Sequence, residues 1–63
     1  MAIEITNASK GRTMKSAIAH TDDKEEAIDA VLAHFGENRG NLFGWHTAYR
    51  GDSEGWTVEL WTD

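Results

Sequence analysis

Apolar residues recur along this chain with two different periods, and each change of period marks an element. In the segment Ala2 to Thr6, Ile3 and Ile5 flank Glu4, the alternation of a short half-buried strand. Asn7 to Arg12 is turn chemistry, with Gly11 able to take a positive φ. Alternation resumes from Thr13 to His20, with Met14, Ser16 and Ile18 on one side and Thr13, Lys15, Ala17 and Ala19 on the other. Pairing Thr6 with Thr13 sets Ile5 opposite Met14 on the core face and Glu4 opposite Lys15 on the outer face, both favourable cross-strand pairs.

The period then changes from two to that of a helix. Ala27, Ile28, Val31, Leu32 and Phe35 fall on one stripe at helical spacing. Thr21 or Asp22 can cap this helix, and Asp22 with Glu25 three residues on resembles a capping box. Gly36 is placed to end it as a left-handed residue. Gly36 to Asn41 makes the return loop.

Two further alternating segments, Leu42 to Arg50 and Gly55 to Thr62, close the chain as a hairpin. A four-residue loop, Gly51 to Glu54, pairs Arg50 with Gly55 and Tyr49 with Trp56. Phe43, Trp45, Thr47, Tyr49, Trp56, Val58 and Leu60 then share one face. Gly44, His46, Ala48, Arg50, Thr57, Glu59 and Trp61 share the other. A slip of one residue would put large apolar groups on both faces, so segregation favours this register. The expected fold is α+β: a two-layer β-β-α-β-β domain over residues 1–63, one antiparallel four-stranded sheet with one helix across one face. Phe43, Trp45, Tyr49 and Trp56 belong to its core, and Trp61 is surplus on the far face.

Composition narrows the function. At 63 residues without cysteine, the chain has a small core and neither disulfides nor a thiol nucleophile. It has no apolar run long enough to span a bilayer and no signal-like start, so a soluble, cytoplasmic protein is expected. Eleven acidic residues against six basic ones give a net charge of −5. That disfavours direct nucleic-acid binding, which needs cations to displace counterions, and suits a basic protein surface as partner. Such a charge also serves simply to keep a small protein soluble.

Catalytic and cofactor chemistry find little footing. His20, His34 and His46 form no closely spaced pair of the kind metal sites use, so no metal is expected. No nucleophile-elbow pattern surrounds any serine, and Gly36 to Gly40 lacks the lysine and helix of a phosphate loop. His46 opposite Glu59 would be a cross-strand pair on an open sheet face, poorly placed for acid–base work, and a minimal enzyme or ligand carrier built on it ranks last. No enzyme and no cofactor are expected.

Two surfaces remain as candidate partner sites. Asp22, Asp23, Glu25, Glu26 and Asp29 crowd the start of the helix with only Lys24 among them, a repulsion not relieved locally. A charge run of this kind is otherwise a solvated helix face. On the sheet, Trp61 with Arg50, His46 and Glu59 makes an aromatic and charged patch typical of an interface centre. Its plainer reading is an indole covering the bare backbone of Gly44. The alternative is a small homodimeric structural or accessory protein, in which this outer face, burying Trp61 and Ala48, or an edge strand pairs with a second copy. In size, acidity and β-β-α-β-β layout the chain resembles the small phage-encoded anti-CRISPR proteins. The resemblance implies a non-catalytic inhibitor in the host cytoplasm, occupying a basic site on a nucleic-acid-binding complex with carboxylates where phosphates would sit. It carries over no individual residue.

Overall fold

The computed structural model describes residues 3–62. Met1, the Ala2 that begins the expected first strand, and Asp63 lie outside the described residues. The elements in chain order are β1 (Ile5–Lys10), β2 (Met14–Ala19), α1 (Lys24–His34), a 3-10 turn (Arg39–Asn41), β3 (His46–Asp52) and β4 (Gly55–Trp61). The four strands form one antiparallel sheet in the order β1-β2-β4-β3, with α1 packed on one face. This is the expected two-layer α+β architecture. The helix sits over β2 and β4, touches β1, and barely reaches β3.

The helix stripe buries as its spacing predicts: Ala27, Ile28, Val31 and Leu32 are all in the core. Its cap differs from expectation. Asp23, not Thr21 or Asp22, is the N-cap, and its carboxylate accepts the N–H groups of Glu25 and Glu26 at 2.9 and 3.1 Å. Only from the residue immediately before the first helical turn can a short side chain reach those two donors. At the other end Gly36 takes φ 74°, and its N–H and that of Glu37 close back on the carbonyls of Ala33 and Leu32, a Schellman ending.

The sheet side of the core sets small residues of β2 beside larger ones of β4. Ala17 and Ala19 of β2 and Val58 and Leu60 of β4 are fully buried beneath α1. The assignment of Met14, Ser16 and Ile18 to the core face is therefore reversed, and Met14 is 53% exposed. Alanines inward let the helix, with its own Ala27, approach the sheet closely. The first hairpin also pairs differently: Ile5 faces Ala19 and Thr6 faces Ile18, rather than Met14 and Thr13. Asn7 takes the positive φ expected of Gly11, at 52°, where the register shifts between Thr6 and Ser9. That bulge carries β1 on to Lys10, so the residues read as a turn are strand, and the turn is Gly11 to Thr13.

In the second hairpin the two face sets are kept but the pairing moves by two residues. Tyr49 faces Val58, Gly51 faces Trp56, and the loop shrinks to Ser53-Glu54. The Asp52 carboxylate accepts the Glu54 N–H at 2.8 Å, and Gly55 adopts φ 138°, which together favour the tighter turn. Phe43 is not core. A turn in which the Trp45 N–H reaches the Leu42 carbonyl at 3.0 Å ends the return loop before β3 begins, leaving Phe43 98% exposed. Trp45, Tyr49 and Trp56 pack half-buried around the aliphatic core. Below them Lys15 of β2, its side chain only 11% exposed, places its ammonium 3.3 Å from Glu37 and 5.0 Å from the Trp45 ring centre. This cation clamps the return loop to the sheet.

Candidate functional site

The five carboxylates of the helix start do not act as one cluster. Asp23 is used as the cap. Arg39 folds back from the 3-10 turn, donating Nε to Asp29 at 2.7 Å and Nη1 to Glu25 at 3.0 Å, with Nη2 on the Glu25 carbonyl. The repulsion expected along this face is thus relieved by a residue outside it. The hydrogen bond to Asp29, then that to Glu25, holds the Arg39 guanidinium above its ordinary pKa. Of the five, Asp22 and Glu26 make no ion pair among the described residues.

Asp22 instead meets a second acidic element. The Trp56 indole donates Nε1–H to the Asp22 carbonyl at 3.0 Å, tying the entry of α1 to the β3–β4 hairpin. This indole can lie over β3 because Gly51 faces it; a Cβ there would sit 3.0 Å from the ring. Thr21, Asp22, Gly51, Asp52 and Trp56 consequently line one shallow depression of about 390 Å³. Two of its five residues are acidic, one carries a hydroxyl and one an aromatic ring. Glu54 stands next to it in the hairpin loop. Lys24 holds its Nζ 5.3 Å from the Tyr49 ring centre and 5.9 Å from that of Trp56. Such a lining favours a positively charged group, through Coulomb attraction and the ring quadrupole.

The second surface is the sheet face away from α1. Trp61 is 38% exposed and stacks on His46, ring centres 5.7 Å apart with planes 27° from parallel. In register, Met14, Trp61 and His46 run across β2, β4 and β3 in one row. The indole therefore covers an imidazole rather than Gly44, which precedes β3. Glu59 faces Ala48 and not His46, so the His46–Glu59 pairing does not form. Glu59 lies instead 3.8 Å from Arg50, an exposed pair worth little on its own. No group of three His, Cys, Asp or Glu able to hold a metal ion occurs among the described residues.

Asp22 and the outer-face residues are thus legible in the sequence, whereas the depression is not, because it depends on Gly51 standing opposite Trp56. No helix of the described residues is long and apolar enough to cross a membrane. Comparison with family models, with curated proteins and with solved structures gave no match.

Proposed function

We propose that this protein is a non-catalytic binding module that engages a basic protein surface through its acidic end. The observation that carries this reading is the depression in which Asp22 and Asp52 flank Trp56. An arginine or lysine of the partner would stack on the indole while meeting both carboxylates. The net charge of −5 would speed the encounter by long-range attraction. Arg39 removes much of the charge of Glu25 and Asp29, so the helix flank contributes less than the end of the domain.

A surface that ordinarily holds nucleic-acid phosphates presents cations of this kind. Occupying it would make the protein an inhibitor by competition, as the resemblance to anti-CRISPR proteins implies. The test is capture from a host lysate by the wild-type protein, by the double variant Asp22→Asn with Asp52→Asn, and by Glu26→Gln. Loss of a basic partner in the double variant, with retention by Glu26→Gln, is the expected result. Equal capture by all three would reduce the acidic end to a solubility feature.

A further inference from the structure

The two edges of the sheet are not alike. β1 is blunted by the bulge at Asn7 and ends on Lys10, devices that discourage another strand from pairing with it. β3 has neither lysine nor proline, and its pairing with β4 runs from His46 to Asp52 without a shift of register. The helix barely reaches β3: from the second layer Lys24 lies over the Tyr49 ring, on the face of the strand, while the backbone edge of β3 pairs with no other strand of the sheet. An edge strand of seven regular residues with free backbone groups on one side is a template for strand addition.

We propose that β3 pairs with β3 of a second copy, antiparallel about a two-fold axis beside Tyr49, to make one continuous sheet. A symmetric antiparallel pairing puts equal faces side by side, so both helices lie on the same side. Centring on Tyr49 uses the whole strand and places His46 opposite Asp52 of the second copy, an imidazole donor against a carboxylate, at both ends. Thr47 then faces Gly51, Ala48 faces Arg50, and the two Tyr49 rings meet at the axis as a cross-strand aromatic pair. Centring on Arg50 would set the two guanidiniums against each other. Centring on Ala48 would set Arg50 against His46 and leave Asp52 beyond the strand. Among these registers only the Tyr49-centred one is complementary along its full length. β3 also brings a guanidinium and an imidazole with a single carboxylate, so two molecules of net charge −5 can approach here with little local repulsion.

Sedimentation equilibrium from micromolar to millimolar concentration, combined with amide hydrogen exchange at both ends of that range, tests this. The expected result is a monomer–dimer equilibrium in which exchange of amides within residues 46–52 slows as concentration rises, while β1 amides are unchanged. Tyr49→Lys, which sets two ammonium groups together at the axis, should weaken association by at least about tenfold. Exchange protection in β2 and β4 of that variant verifies that the fold is retained. His46→Gln, which keeps a donor opposite Asp52, should dimerise like the wild type. A protein that stays monomeric at millimolar concentration would overturn the proposal, as would a dimer whose concentration-dependent protection falls elsewhere than on β3.

Discussion

The indole N–H of Trp56 donates to the backbone carbonyl of Asp22, 34 residues earlier in the chain. This one bond fastens the hairpin to the start of the helix, and an acidic residue from each side of it, Asp22 and Asp52, lines the same depression as Trp56. Trp56→Phe keeps most of the packing and loses the donor. Stability should fall by about 1 kcal/mol in denaturant unfolding, the usual net worth of such a bond. An unchanged midpoint would mean that the carbonyl is equally well served by water.

Asp22 and Asp23 are neighbours with different work, and substitution separates them. Asp23→Ala removes the acceptor of two helix N–H groups and should cost about 1 kcal/mol with a loss of helical circular dichroism. Asp22→Ala leaves the cap and the carbonyl to Trp56 in place and should change stability by less than about 0.5 kcal/mol. The reverse order would return the cap to Asp22.

Gly55 is the position least tolerant of a side chain. With φ at 138°, a Cβ there would overlap the Ala19 carbonyl oxygen. Gly55→Ala should therefore lose on the order of 3 kcal/mol, combining backbone strain with displacement of β2. A loss below about 1 kcal/mol in a urea melt would contradict this tight approach of β4 to the end of β2.

Trp61 is a surface residue in its stability, whatever it binds. Its ring rests on His46 and covers no part of the aliphatic core, so Trp61→Ala should cost about 1 kcal/mol, the scale of one exposed aromatic pair. A loss near 3 kcal/mol, as for a buried aromatic, would place it in the core instead.

The parts of the fold legible in the sequence are those governed by a period. The stripe from Ala27 to Leu32 shows both the helix and its buried side, because hydrophobic spacing and burial coincide there. The face sets of the second hairpin were legible for the same reason. Its pairing was off by two residues, and a shift of two preserves which side each residue points to, so Trp61, His46 and Arg50 remained on the outer face. The first hairpin was not legible. Met14 and Ile18 outweigh Ala17 and Ala19 in hydropathy, but close helix packing selects the small residues, and the bulge at Asn7 shifts the strand by one position. Contacts made by loops left no periodic trace: Arg39 returning to Glu25 and Asp29, the turn that exposes Phe43, and Lys15 under Glu37. The acidic depression falls in this group too, since it depends on the turn that brings Gly51 under Trp56.

The Trp56 indole N–H resonance of ¹⁵N-labelled protein, followed during titration with a short arginine-rich peptide, reports on whether a cation enters the acidic depression. Binding at the acidic depression should give a saturable shift of that resonance together with the amides of Asp22 and Asp52, lost in the double variant Asp22→Asn with Asp52→Asn. Small shifts spread evenly over all acidic residues, with the Trp56 signal unmoved, would contradict it.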